Sequence, residues 1–233
     1  VIRLSREPGT ESLYFNLNPY TPDGKKLIVT TPGGISTIDL ATGAINPVIA
    51  GRLSIIGVGR KTGRIYYTRW TDGTGFVYAA NPVSGAIRQV AKLPPHGSVA
   101  SVNADETLLA GTTTEPGAAG QPWSGGPPGK GRVTREAKGM MMERRLAAHL
   151  PMTLFTISLQ TGKIKTLLHS TDWLNHLQFS PTDPTLLLFC HEGPWHKVDR
   201  IWLIRTDGSA LTKVHARTMY REIAGHEFWS ADG

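Results

Sequence analysis

The sequence has one cysteine, no long hydrophobic run and fewer acidic than basic residues. Because Cys190 has no second cysteine to pair with, an intrachain disulfide is excluded and a reducing compartment is permitted. No stretch approaches the roughly 18–20 apolar residues that span a bilayer, and the first residues lack the apolar core of a signal peptide. We therefore expect no membrane partner and a cytoplasmic location, with a periplasmic one left open.

The surplus of basic residues, 25 against 18 acidic ones, gives a formal charge of +7. Such a balance attracts nucleic acid, but it attracts polyanionic sugar acids equally well. Apart from residues 129–145 the basic residues are scattered, and neither an RNA-recognition motif nor a recognition-helix pattern is present. We therefore expect no nucleic-acid partner.

Glycine and proline are abundant, with 26 and 16 residues, which suits short strands joined by tight turns. One unit recurs: an opening turn, an apolar strand, a connector, a second apolar strand, a Thr-Gly or Asp-Gly turn, and a third strand. Successive opening turns are separated by 39, about 43, 78 and 49 residues, and the last of them lies at residues 230–233. Since four-stranded propeller blades are ~40–45 residues long, the pattern predicts an all-β protein with about four β-propeller blades and the start of a fifth.

The long interval predicts an insertion at residues 115–150 within the third blade. Its first part is rich in glycine and proline, and its second part, EAKGMMMERRLAAHL, has the spacing of a short helix over one face. An arc of four blades would leave two blade faces uncovered. We therefore interpret residues 1–233 as a single, incomplete β-propeller domain from a larger ring.

Two histidines occupy matching positions in the repeat. His176 lies four residues before Ser180, and His226 lies four residues before Ser230. Equivalent positions in neighbouring blades are expected to point into one central funnel. Imidazoles are common metal ligands and general bases near neutral pH. The alternative, a structural turn histidine bonded to backbone, stays open for each.

The loop CHEGPWHKVDR, between the second and third strands of the fourth blade, carries further candidates: His191, Glu192 and His196. The insertion in the third blade occupies the same type of loop, so Arg144 and Arg145 are expected over the same funnel. The alternatives are a local turn network, a solvated loop and a solvated helix face.

The segments HEGPWHKVDRIWLIRTDGS and AGHEFWSADG resemble the oligogalacturonate lyase family, as does SLYFNLNPYTPDGKKLIV. The resemblance implies a seven-bladed propeller that cleaves short oligogalacturonides, mainly digalacturonate, by β-elimination to give 5-keto-4-deoxyuronate. It also implies a divalent cation, usually manganese, held by histidines and a glutamine, with a histidine as the base. The implied partner is an acidic oligosaccharide.

Carried over residue by residue, the resemblance makes His226 a metal ligand and His176 the catalytic base. The remaining metal ligands would lie outside this chain, so residues 1–233 alone are expected to be inactive. His191, Glu192 and His196 become substrate-binding candidates, and Arg144 or Arg145 becomes the candidate for an assisting arginine. The alternative function is a non-catalytic WD40-like or TolB-like propeller that binds a protein or a sugar.

Overall fold

The computed structural model describes residues 3–115 and 135–233. Within these ranges, sixteen strands form four antiparallel sheets of four strands each, and one helix, α1, covers Arg135–Ala148. None of the helical segments described has the length and apolar character needed to cross a membrane.

The strands follow chain order within each sheet. The first sheet contains β1 (Glu11–Ser12), β2 (Lys26–Thr31), β3 (Gly34–Asp39) and β4 (Ile45–Ala50). The second contains β5 (Ser54–Val58), β6 (Ile65–Thr71), β7 (Thr74–Ala80) and β8 (Ile87–Lys92). The third contains β9 (Gly97–Val102), β10 (Leu108–Thr114), β11 (Met152–Ser158) and β12 (Ile164–Ser170). The fourth contains β13 (Trp173–Phe179), β14 (Leu186–Glu192), β15 (Ile201–Arg205) and β16 (Thr212–Lys213).

The turns between third and fourth strands repeat one local structure. Asp39 Oδ1 accepts hydrogen bonds from the backbone N–H groups of Ala41 and Thr42, at 3.1 and 2.9 Å. The side chain of Asn81 accepts the equivalent pair in the second sheet. Such Asx turns end in a left-handed residue, here Gly43 with φ 72°. The Thr-Gly signal of the sequence therefore corresponds to a real turn that sets the register of the outer hairpin.

Consecutive sheets pack face to face through three apolar clusters. The first joins sheets one and two, the second joins sheets two and three, and the third joins sheets three and four. Neighbouring residues of β6 show how one strand serves two clusters: Ile65 packs toward the first sheet and Tyr66 toward the third. The second and third sheets are therefore apolar on both faces, as expected for blades that have a neighbour on each side.

The innermost strands surround a common channel of about 400 Å³. Each sheet, together with the C-terminal segment, contributes to its lining, which includes Leu17, Gly57, Ser101, Gln178 and Trp229. Four radial sheets around one axis confirm the predicted all-β propeller architecture. The blade number of a complete ring stays a prediction.

One part of the sequence interpretation was wrong. The repeat was counted from its opening turns and so contained no strand before the turn at residues 181–183, whereas residues 173–179 form β13, the innermost strand of the fourth sheet. The alternation that would have revealed β13 is interrupted by a bulge between Asn175 and Gln178. No strand follows β16 in the described part of the chain, but Glu227 and Trp229 hydrogen-bond to Gln178, which places this segment beside β13.

Candidate functional site

The bulge in β13 determines where His176 points. His176 adopts a left-handed conformation with φ 48°, which costs a non-glycine residue roughly 1–3 kcal/mol. Bulges of this kind re-aim a side chain, and they occur often next to active sites. The His176 side chain is 25% exposed, and its Nε2 lies 3.2 Å from Glu192 Oε2 on the neighbouring strand β14.

His176 opens into a cavity of about 280 Å³ that lies apart from the channel. Strands β13 and β14, the loop after β14, helix α1, the segment after β1 and the C-terminal segment all contribute to its walls. The polar lining residues are Lys138, Asn175, His176, Glu192, Arg200 and His226, and the others are Tyr14, Phe15, Met141, Met142, Trp173 and Trp195. The cavity therefore combines two imidazoles and a lysine with aromatic and methionine side chains.

His226 reaches the same cavity from the C-terminal segment, again with a left-handed backbone (φ 56°). Its ring makes edge contacts with Phe15 and Trp195, at centroid distances of 5.3 and 5.5 Å. The preceding residue must be small, because a Cβ on Gly225 would lie 2.8 Å from the Trp195 ring. The Gly-His pair thus lets the chain pass close to Trp195 while it presents an imidazole.

A buried charge network lies behind the two histidines. Arg200, 2% exposed, pairs through Nη1 with Glu192 Oε1 and through Nη2 with Glu227 Oε1, the latter at 3.3 Å. Its guanidinium also lies over the face of Trp195, 4.9 Å from the ring centroid. Burial by itself would raise the pKa of Glu192, but the hydrogen bond from His176 and the charge of Arg200 lower that pKa to about 2. Glu192 is therefore ionised at neutral pH.

Cys190 belongs to the same network, but its position does not suit a nucleophile. Its thiol donates a hydrogen bond to Glu227 Oε1, and the residue is buried. Burial, together with the hydrogen bond to Glu227, raises the pKa of the thiol far above its ordinary value. The thiol thus stays protonated and acts as a donor to the carboxylate.

Helix α1 covers one side of the cavity. Lys138, Met141 and Met142 line it. An ion pair of 2.9 Å between Glu143 Oε2 and Lys197 Nζ ties the helix to the loop after β14. The Arg145 guanidinium packs 5.6 Å from the centroid of the Trp173 ring, and burial lowers its pKa. The helix is thus tied to blade four at two residues, Glu143 and Arg145, which follow its cavity-lining residues in the chain.

Of the residues predicted from the sequence, the structure brings His176, His226 and Glu192 to one cavity. His191 lies on the opposite face of β14, stacked on Trp202 at 4.6 Å. His196 and Arg144 are exposed outside the cavity, and Arg145, which packs on the Trp173 ring and donates a hydrogen bond to Met152 Sδ, does not line it. The substrate-binding role of these four residues stays a prediction without support from their position. The part of the insertion at residues 116–134 lies outside the described residues.

Sequence reasoning did not select Lys138, Arg200 or Glu227. A signal existed for Arg200, since it directly precedes the apolar strand β15 within the motif HKVDR. Glu227 follows His226, and its importance depends on a contact with Arg200, 27 residues away in the chain, which no local pattern reveals. Nothing in the sequence distinguishes Lys138 from the other basic residues of the insertion.

The described residues do not supply a complete metal site. They contain no group of three or more histidine, cysteine or acidic side chains placed to hold one ion. His226 can offer one nitrogen, whereas Glu192 and Glu227 are engaged by Arg200. The residues present therefore do not fit a full manganese shell.

Comparisons with known proteins agree with the fold. A solved oligogalacturonate lyase in complex with manganese superimposes with a TM-score of 0.70 at 23% identity, over 90% of this chain and 54% of that one. A putative TolB from Agrobacterium tumefaciens gives 0.57 at 16% identity, over 88% and 62%. By its sheets and by these likenesses, the chain is a β-propeller protein.

The sequence comparisons concern the C-terminal part, where the cavity residues are concentrated. The family model described as oligogalacturonate lyase matches residues 146–233. The oligogalacturonide lyase of Pectobacterium atrosepticum is 42% identical over 83 residues, which are 34% of this chain and 21% of that protein. The resemblance to the oligogalacturonate lyase family is thereby confirmed for this region. The match spans about a fifth of the length of the Pectobacterium relative, and the N-terminal resemblance stays a prediction.

Proposed function

We propose that the full-length protein is a lyase that cleaves short oligogalacturonides, with digalacturonate as the substrate, by β-elimination to 5-keto-4-deoxyuronate. One observation carries the proposal: His176 and His226 line a single cavity, and both lie within the region that matches the lyase family. The substrate is an acidic oligosaccharide, which suits the formal charge of +7.

The reaction needs a base, and His176 is our candidate. The base takes the proton from C5, which the adjacent uronate carboxylate acidifies. The electron pair of the C5–H bond forms the C4–C5 double bond, the C4–O4 bond breaks, and the departing oxygen takes a proton from solvent. The unsaturated monouronate then opens its ring, and its C5 enol tautomerises with protonation at C4 to the isomeric 5-keto-4-deoxyuronate. A neutral imidazole is well matched to proton abstraction near pH 7.

The negative charge that develops toward the uronate carboxylate needs a cationic partner. Arg200 already has two carboxylate partners, Glu192 and Glu227. Lys138 lines the cavity from helix α1 and is exposed at its edge. We therefore assign carboxylate binding to Lys138 rather than to Arg144 or Arg145. A cation so placed stabilises the transition state more than the ground state, because charge increases during the reaction.

Manganese enters the proposal only through His226. We propose that His226 is one ligand of a divalent cation whose other ligands lie outside this chain. When bound, such an ion stabilises developing negative charge as a Lewis acid. Neither the proton transfer from C5 nor the cleavage of the C4–O4 bond is assigned to this ion, because the described residues do not complete its ligand shell.

The test is an assay of the full-length protein with digalacturonate, following the ultraviolet absorbance of the unsaturated product with and without added manganese. We expect turnover on digalacturonate and none on a neutral disaccharide of galactose. Full-length, folded protein that produces no unsaturated product under either condition would refute the lyase function.

A further inference from the structure

The two carboxylate oxygens of Glu192 have different partners, and this difference carries an inference about His176. Oε1 receives three donors: the Arg200 guanidinium, the Trp195 indole N–H at 3.2 Å and the backbone N–H of Gly193 at 3.2 Å. Oε2 faces His176 Nε2 at 3.2 Å. The three donors fix the orientation of the carboxyl group, so that the second oxygen stays aimed at the imidazole.

The identity of the donor between Glu192 and His176 follows from chemistry. An ionised carboxylate only accepts hydrogen bonds, so Nε2 of His176 must carry the proton. A neutral imidazole has one protonated and one unprotonated nitrogen. The lone pair of neutral His176 therefore lies on Nδ1.

We infer that Glu192 is a positioning residue: together with Arg200 it holds His176 as the Nε2–H tautomer and leaves Nδ1 as the nitrogen that accepts the C5 proton. The catalytic part of this inference rests on the proposed function, whereas the tautomer does not. It also replaces the substrate-binding role predicted for Glu192, because the residue is 5% exposed and both of its oxygens already have protein partners.

The arrangement follows a general design of histidine sites. A catalytic or ligating histidine commonly donates its second N–H to a carboxylate, which fixes the tautomer and the ring orientation. Here Arg200 fixes the carboxylate of Glu192. The backbone of His176 has a left-handed conformation (φ 48°), which is strained for a residue other than glycine. Strain of this kind persists only where surrounding contacts outweigh it.

The experiment measures the tautomer first and activity second. Ring ¹⁵N–¹H correlation spectra of the full-length protein, recorded at increasing pH until the His176 signals no longer change, identify which nitrogen of the neutral ring is protonated. We expect Nε2–H in the wild type, a mixture of tautomers in Glu192→Ala, and retention of Nε2–H in Glu192→Gln, whose amide oxygen still accepts. Thermal unfolding and near-ultraviolet circular dichroism verify that each variant is folded.

The matched control is Asp172→Asn, because Asp172 Oδ2 faces His191 Nδ1 at 3.3 Å on the opposite face of the same two strands. This variant should alter the His191 signals and leave the His176 tautomer unchanged. An Nδ1–H tautomer for His176 in the wild type, or an unchanged tautomer in folded Glu192→Ala, would overturn the inference.

The kcat and KM of the Glu192 variants then distinguish a positioning role of this residue from a substrate-binding role. We expect Glu192→Ala to lower kcat roughly 10–100-fold with little change in KM, and Glu192→Gln to restore most of it. A rise in KM at unchanged kcat would instead make Glu192 a substrate-binding residue and overturn the positioning role. If the wild type has no lyase activity while the tautomer responds as expected, the proposed function fails and the tautomer assignment stands.

Discussion

Two histidine–carboxylate pairs lie on opposite faces of β13 and β14, and they differ in what holds the carboxylate. His176 and Glu192 are 3.2 Å apart on the cavity side, where Arg200 anchors a carboxylate that is 5% exposed. His191 and Asp172 are 3.3 Å apart on the other side, where the Asp172 side chain is 44% exposed. The two histidine–carboxylate pairs thus have similar distances, but their carboxylates differ in burial and in their partners. We therefore expect chemistry from His176, whose carboxylate partner is fixed, and local packing from His191, whose carboxylate partner is solvated.

The surroundings of His191 support that contrast. Its ring stacks on Trp202 at 4.6 Å and lies near Phe189, and its Nε2 has no hydrogen-bond partner among the described residues. Burial is the main cause that lowers the pKa of His191, and it outweighs the opposing effect of Asp172. His191 is therefore neutral at pH 7 and fills space between β14 and β15.

Removing Arg200 should have the largest effect on stability, since it would leave Glu192 and Glu227 buried without a counter-charge. We expect Arg200→Met to lower the free energy of unfolding by about 3–5 kcal/mol. The matched control is Arg205→Met, at the far end of the strand that Arg200 precedes, because Arg205 pairs with Asp183 between side chains that are 44% and 38% exposed. That control should cost less than about 1 kcal/mol. Chemical denaturation at pH 7 measures both, and equal losses would contradict the network.

Lowering the pH should reduce the free energy of unfolding, because it protonates Glu192 beside the cavity. Its pKa is lowered from 4.5 to about 2 in the folded protein, so the folded state binds the proton less readily than the unfolded state. The resulting stability is fully present above about pH 4.5 and is lost as pH falls toward 2, and it amounts to a few kcal/mol. The unfolding free energy of Glu192→Gln should therefore fall less steeply over this range than that of the wild type. Parallel pH profiles would argue against an ionised Glu192.

Changing Lys138 should have a smaller effect and should leave the fold intact, because the residue is exposed on α1. We expect Lys138→Met to lower kcat/KM for digalacturonate roughly tenfold, mainly through kcat, the equivalent of one charge-assisted hydrogen bond of about 1.4 kcal/mol in the transition state. Lys138→Arg retains the charge and should stay within about threefold of the wild type. Steady-state kinetics measure both variants, and an unchanged kcat/KM in the Met variant would show that Lys138 does not act in the site.

The repeat pattern predicted the outer three strands of each blade well, because their period-two alternation and their Thr-Gly or Ser-Gly turns are local. It missed β5, β9 and β13 as strands, because each lies before the opening turn from which the repeat was counted. Sequence alignment of His176 with His226 predicted that both point into one central funnel; the structure places both in the smaller cavity and neither in the lining of the channel. It could not predict that His191 turns away, because that depends on strand register: His191 opposes Leu174, whereas Glu192 opposes Trp173.

The buried network was beyond sequence reasoning for another physical reason. Arg200 links Glu192, eight residues before it, to Glu227, 27 residues after it, and the energy of the cluster depends on all three being desolvated together. A single arginine in a polar loop motif gives no sign of this. Only the packing of the C-terminal segment against blade four shows why the charge is buried there.

The most direct test of the account compares His176 and His191 in the full-length protein, assayed with digalacturonate, the substrate proposed above. We predict that His176→Ala lowers kcat by roughly 10²–10⁴-fold, as expected for loss of a general base, with metal content unchanged. His191→Ala should lower kcat by less than about tenfold, through packing alone. The reverse order, with near-full activity in His176→Ala and a large loss in His191→Ala, would contradict the assignment of the cavity as the active site.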